Sequence, residues 1–273
     1  MLGDGFETRI TSLLRAPSRL RVVQSSALRN IARNTLRPGF LPVMLRKTRA
    51  RLRREHRDEA AVWCHDHAES AEAFANSLDP GLWAEAGAWA EEFEPRAREA
   101  LAGLGVRLGG GGHYRLMQFL VRLRQPEAVL ETGVAAGWTS QAILAALQRN
   151  GRGTLYSSDF PYFRLENPER YVGCLVDPEL RSRWQLEIRG DRMNLARFLP
   201  RIDSIDLLHY DSDKSIEGRQ YVLDTVSAKL AADAVIVMDD VGDNTFFRDW
   251  VTRSKQHFRI FEHGGRYVGL AGL

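Results

Sequence analysis

The chain has 273 residues, 44% hydrophobic and 27% charged, with a formal net charge of +3. That is enough for one large α/β domain and a smaller helical piece, and it excludes a disordered or fibrous protein. The lack of any run of about 18 apolar residues argues against a membrane helix. No apolar leader with a small-residue cleavage site is visible at the N-terminus. The two cysteines, Cys64 and Cys174, are far apart, which argues against a disulfide scaffold and leads us to expect a cytoplasmic protein.

The charge is unevenly spread. Residues 1–57 hold 14 Lys and Arg against 3 acids, and 58–100 reverse the sign. A basic arm can attract anionic lipid, nucleic acid or an anionic substrate. It can equally be a solvated helical face packed on the acidic segment of its own or a neighbouring chain, which is the reading we favour and which suits a homo-oligomer.

Residues 1–108 read as helix and loop, with no good strand. Pro17, Pro38 and Pro42 break the first stretch, 46–57 is a basic helical run, and 58–78 continues helical. Asp79-Pro80 has the form of an N-cap followed by proline at the first helical position, and Trp83, Trp89 and Phe93 share a face as core. The glycine run 109–112 is a natural domain boundary, opening a second region over 109–273.

From there strand and helix alternate. Helices are expected over 114–123, 140–149, 194–199, 218–230 and 246–257, and strands over 128–130, 154–158, 186–189, 205–210, 234–238, 258–261 and 267–270. This alternation implies a mostly parallel sheet covered by helices on both faces. Gly264-Gly265 is a hairpin signal, so the last strand should run antiparallel to its predecessor. The expected architecture is α/β and Rossmann-like, with a C-terminal antiparallel hairpin and a helical N-terminal region.

Polar residues cluster at the carboxyl ends of these strands, where open α/β sheets bind ligands. The first strand runs into Glu131, Gly133, Gly137, Thr139 and Ser140. Gly133 and Gly137 allow close backbone approach, and the helix start at Thr139 and Ser140 can face a carboxylate. The spacing E-x-G-x-x-x-G departs from the dinucleotide G-x-G-x-x-G. It suits a nucleoside carrying an amino acid, with Glu131 near the ammonium group. Asp159 is placed to accept from ribose hydroxyls, and Asp191 to meet the adenine edge. Asp211, Asp213 and Lys214 follow the fourth strand, and Asp239 and Asp240 the fifth. Three converging carboxylates repel unless a cation sits among them, and hard oxygen ligands favour Mg²⁺. His113 and Tyr114 could lie over the cofactor. Cys64, His65, Asp66 and His67 are too closely spaced to share a helix face and are set aside as a zinc site. His209 reads as a core histidine.

The segment from 113 to the C-terminus resembles the class I S-adenosylmethionine methyltransferases, and within them the metal-dependent O-methyltransferases. VLETGVAAGWTS is similar to their cofactor loop. The resemblance implies S-adenosylmethionine as cofactor, held by Glu131, Gly133, Gly137, Thr139, Ser140, Asp159, Asp191 and Asp211. It also implies Mg²⁺ on Asp211, Asp239 and Asp240. Lys214 falls where the catechol-type enzymes keep a catalytic lysine, and Asp213 where the macrocin-type sugar enzymes keep a basic aspartate. Both patterns are met, with D-x-D followed by E-G leaning to Asp213. The implied reaction is methyl transfer to a hydroxyl of a sugar, glycoside or other small polyol. A catechol or phenol is the alternative, with Trp138 and Trp250 as a possible aromatic wall. An RNA methyltransferase using the arginine arm is a further alternative, weakened because no aromatic residues interleave with the arginines over 44–57. Peripheral contact of that arm with an anionic membrane is also open.

Overall fold

A computed structural model describes residues 18–37, 40–42, 44–45 and 56–273. The basic run expected over 46–57 lies outside the described residues except for its last two. The chain forms α1 (Ser18–Thr35), α2 (Arg57–His67), β1 (Ala68–Glu69), α3 (Ala71–Leu78), α4 (Pro80–Gly103) and α5 (Tyr114–Arg124). It continues through β2 (Ala128–Thr132), α6 (Trp138–Asn150), β3 (Thr154–Ser158), β4 (Trp184–Glu187), α7 (Asp191–Phe198) and β5 (Ile205–Tyr210). Then come α8 (Ile216–Val226), β6 (Leu230–Met238), α9 (Phe246–Ser254), β7 (Phe258–His263) and β8 (Arg266–Ala271).

The eight strands lie in the order β1-β7-β8-β6-β5-β2-β3-β4. The pairs between β2, β3, β4, β5 and β6 are parallel, and β8 is antiparallel to both β6 and β7. The hairpin between β7 and β8 turns at Gly264 and Gly265, whose φ values of 58° and 75° a two-residue turn of this hand requires. The chain winds from β2 outward to β4, then returns to the other side of β2 as β5. That reversal creates a crevice at the carboxyl ends of β2 and β5.

Strand alternation divides the core. Val129, Leu207, Val235 and Val237 pack on one face with Leu116, Phe119, Leu120 and Ile143 of α5 and α6. Leu130, Leu208, Ile236 and Met238 pack on the other with Phe198, Val222 and Phe247 of α7, α8 and α9. Phe74, Ala75, Trp83 and Ala86 of α3 and α4 join the first cluster, so the helical region shares the core of the sheet. Asp79 caps α4 as expected, accepting from the Leu82 backbone N–H at 2.9 Å.

The structure departs from the expectations in places with local causes. The helix expected over 58–78 is two helices separated by β1, a two-residue strand that exists because Ala68 and Glu69 pair with Ile260 and Phe261 at the sheet edge. Ser70 then caps α3. The strand expected over 186–189 sits earlier, because Leu155–Ser158 pairs with Trp184–Glu187 and Asp191 already begins α7. Two described arginines of the N-terminal arm, Arg33 and Arg37, pair with a loop of the sheet region. Arg33 lies 3.7 Å from Glu166, Arg37 pairs with Glu169, and the Asn34 amide donates to the Phe163 and Leu165 carbonyls. Among the described residues, no helix is long and apolar enough to cross a membrane.

Candidate functional site

The glycine loop between β2 and α6 is built against its own chain. A side chain at Gly133, whose φ is 89°, would meet the Asp211 carbonyl carbon at 2.5 Å. One at Gly137 (φ 99°) would fall 2.9 Å from the Cα of Gly173. The close approach that these glycines permit is therefore to the β5 strand end and to the 173–176 segment. That segment hydrogen-bonds the carbonyls of Ala135 and Ala136. Asp159 fastens the same loop: it accepts from the Val134 and Ala135 backbone at 3.1 and 2.7 Å, and from its neighbour Phe160 at 2.6 Å. Asp191 accepts from the Ser158 and Ser212 hydroxyls at 2.6 and 2.7 Å, tying β3 to the β5 end. Thr139 is buried beside Ser140, and the Ser140 hydroxyl donates to Glu131 at 2.6 Å. All of these predicted cofactor residues thus lie at one end of the sheet, around the crevice.

Glu131 is fully buried. One of its oxygens, Oε2, accepts from Ser140 and Ser157, and the other lies 3.5 Å from His209 Nδ1. His209 Nε2 is 3.6 Å from Asp239 Oδ2. At these separations the contacts are ion pairs rather than hydrogen bonds. Burial pushes the His209 pKa down, but the two facing carboxylates outweigh it and raise it to about 10. Burial likewise works against the Asp239 carboxylate, yet His209 beside it holds its pKa below the ordinary value. His209 is therefore a buried imidazolium between two acids, not the satisfied core histidine expected from the sequence.

Asp211, Asp239 and Asp240 line one cavity of about 250 Å³, together with Gly110–Gly112, His263, Gly264, Arg266 and Val268. Asp211 is raised to about 6, first by burial and then by Asp239, against the pull of Lys214. Lys214 Nζ contacts Asp211 and lies 3.3 Å from Asp240 Oδ2. Burial would lower the Lys214 pKa, but Asp211 and Asp240 raise it, so the ammonium keeps its proton. Asp240 also sits 3.3 Å from Arg266. Asp213 is turned away: its carboxylate accepts from the Ser215 backbone at 3.0 Å and packs against Gly218 at the start of α8. One oxygen of Asp213, the base favoured by the sequence pattern, is thus used as a loop cap, and Asp213 is not among the residues lining the cavity.

The Mg²⁺ that the resemblance implies can be tested against these donors. Three hard carboxylates reach one cavity, and Asp239 Oδ1 is buried with no hydrogen-bond partner. Lys214 Nζ already places positive charge between two of them. Among the described residues no three His, Cys, Asp or Glu side chains form a close ligand cluster. The donors fit a hard cation in kind, and Lys214 pairs with two of the three.

Two histidines complete the cavity wall. His263 lines it, and His113 stacks on His263 with ring centroids 4.3 Å apart. Burial depresses both, His113 to about 3, so both rings are neutral near pH 7. The sequence gives His263 no signal, since it is one more residue at the end of an edge strand. The aromatic wall expected from Trp138 and Trp250 does not reach this cavity. Trp138 packs against Tyr114 and Phe93, and Trp250 against Phe247. The Cys64–His67 segment makes no metal cluster, and His67 Nδ1 sits 2.8 Å from the Trp63 carbonyl.

A mostly parallel sheet with an antiparallel final strand, and acids gathered at its switch point, is the fold of the class I methyltransferases. Residues 130–241 match a family model described as a methyltransferase domain. An O-methyltransferase from Bacillus cereus, solved in complex with SAH, is 13% identical, with a TM-score of 0.52 over 64% of this chain and 89% of that one. A putative O-methyltransferase from Klebsiella pneumoniae is 15% identical, with a TM-score of 0.52 over 76% and 97%. A methyltransferase from Geobacter sulfurreducens is 21% identical, with a TM-score of 0.50 over 69% and 94%. No curated protein sequence matches the chain. Over residues 130–241 the chain is thus similar to a methyltransferase domain, and it shares the fold of these solved methyltransferases.

Proposed function

We propose that the enzyme transfers the methyl group of S-adenosylmethionine to a hydroxyl of a sugar, glycoside or related small polyol. The observation that carries this reading is the acceptor cavity. At about 250 Å³ it lies near the small end for ligand sites. Its wall is three carboxylates, an arginine, an imidazole and glycine backbone, with Val268 the one aliphatic side chain. Such a wall offers donors and acceptors to several hydroxyls and no Trp, Tyr or Phe face to a catechol ring. A folded RNA would need a larger, basic surface. The Bacillus cereus protein of the same fold is an O-methyltransferase, and the Klebsiella pneumoniae one a putative O-methyltransferase.

In this reading Glu131 and the glycine loop hold the amino-acid end of the cofactor, and Asp159 and Asp191 fix the shape of the nucleoside end. Asp211, Asp239 and Asp240 would hold Mg²⁺, which when bound lowers the pKa of an acceptor hydroxyl and orients it. Lys214 keeps positive charge beside Asp211 and Asp240, where an alkoxide would develop. His263 faces the same cavity, burial keeps its ring neutral, and it is the group we assign to take the acceptor's proton.

The test is transfer of labelled methyl from S-adenosylmethionine to a panel of glycosides and catechols, with Mg²⁺ or with EDTA. We expect label on glycosides, lost in EDTA and reduced at least roughly 100-fold by His263→Ala. Label on catechols alone would overturn the acceptor, and full activity in EDTA would remove the cation.

A further inference from the structure

The acids at the ends of β2 and β6 are joined through the sheet by one side chain. His209 lies directly opposite Glu131 in the β2–β5 register and is fully buried. Its Nδ1 is 3.5 Å from Glu131 Oε1 and its Nε2 is 3.6 Å from Asp239 Oδ2. Neither ring nitrogen has a hydrogen-bond partner, and neither does Glu131 Oε1. Glu131 Oε2 is already taken by two serine hydroxyls, so the imidazole is what faces its free oxygen. Asp239 Oδ2 is pressed on its far side by Gly112, where a side chain would collide with it. A ring with a carboxylate on each nitrogen can tighten towards one only by loosening from the other. Glu131 is in β2 next to the glycine loop, and Asp239 lines the acceptor cavity.

We propose that His209 is a positioning residue that couples cofactor binding at the glycine loop to the setting of Asp239 in the acceptor cavity. This rests on the methyltransferase reading above. A cationic ammonium arriving near Glu131 draws that carboxylate's charge away from the ring, and the ring then leans to Asp239. The coupling is reciprocal by thermodynamic necessity. Neutralising Asp239 must therefore alter cofactor affinity, although Asp239 is on the acceptor side.

The experiment is calorimetric titration of S-adenosylhomocysteine into wild type, Asp239→Asn, His209→Gln and the double variant, with thermal melting to report stability separately. We expect each single variant to change affinity by roughly five-fold, and the double variant to change it no further than the larger single effect. Affinity unchanged in Asp239→Asn, or effects that multiply in the double variant, would overturn the coupling. Failure of wild type to bind S-adenosylhomocysteine would instead strike the methyltransferase reading, and the coupling with it. If His209→Gln does not fold, ring-nitrogen NMR of His209 in the intact protein decides. The signals move when S-adenosylhomocysteine is added and move less in Asp239→Asn, and signals that stay fixed overturn the proposal.

Discussion

Asp239 is surrounded by histidines of opposite character, and this sets how stability responds to pH. His113 has its pKa depressed by burial to about 3, so the unfolded chain takes up this proton first as pH falls below 6.5. Its contribution to stability is intact above pH 6.5 and is lost as pH falls towards 3. His209, raised to about 10 against the penalty of burial, behaves in reverse. Its stabilisation is complete below pH 6.5 and is lost as pH rises through 10. Asp211, raised to about 6 chiefly by burial, slopes against His113 between pH 3.8 and 6, so the comparison must be made against a variant. Relative to His113→Gln, the wild type should lose urea stability on going from pH 7 to pH 5, and a parallel pH dependence would contradict the assignment. Gly112 is the second sensitive point, because its Cα lies against Asp239 Oδ2. Gly112→Ala should displace the carboxylate and cost methyl transfer roughly 100-fold, as a misplacement of about 1 Å can. Activity within two-fold of wild type would show that Asp239 has room to move. Asp211, Asp239 and Asp240 were legible in the sequence because each directly follows an obvious strand. His209 and His263 were not, because what distinguishes them is the carboxylates and rings brought to them by other strands.

At the scale of elements, the β6 strand end is held by a buried arginine. Arg219 of α8 has no exposed surface. It donates to the Asn244 side chain at 3.0 Å and to the carbonyls of Asp239 and Asp240 at 3.2 and 2.7 Å. Asn244 in turn donates to the Lys214 carbonyl at 2.7 Å, so one guanidinium ties together both acidic turns. Arg219→Met would leave these carbonyls without donors. It should cost about 3 kcal/mol, read from the urea midpoint, and a loss below about 1 kcal/mol would refute this role. The sequence pattern around Arg219 reads as an ordinary amphipathic helix, and nothing in it marks the arginine as buried. The glycine run 109–112 shows the same limit. Read along the chain it is a domain boundary, but in the fold Gly110, Gly111 and Gly112 form one wall of the acidic cavity. The two-residue β1 was invisible for a related reason, since Ala68-Glu69 has no strand signal and is extended by the edge it meets.

Over the whole molecule, the alternating period of the C-terminal 160 residues was sufficient to read the sheet, its hairpin and the ends at which ligands gather. Burial of apolar residues on both faces of β2, β5 and β6 leaves those strands no other arrangement. The N-terminal helices were harder to read. Phe74, Trp83 and Ala86 complete the core of the sheet, yet the charge reversal across 1–100 suggested a partnership of the arm with the acidic segment. The described part of the arm packs instead through Asn34 and Arg37 onto the loop that follows Asp159. All of these elements converge on the crevice where we propose that S-adenosylmethionine binds, and its binding is the most direct test. Calorimetric titration of S-adenosylmethionine into the purified protein should give a micromolar dissociation constant, weakened at least ten-fold in Glu131→Ala, about 1.4 kcal/mol or more. A wild-type protein that takes up no S-adenosylmethionine would contradict the account at its centre.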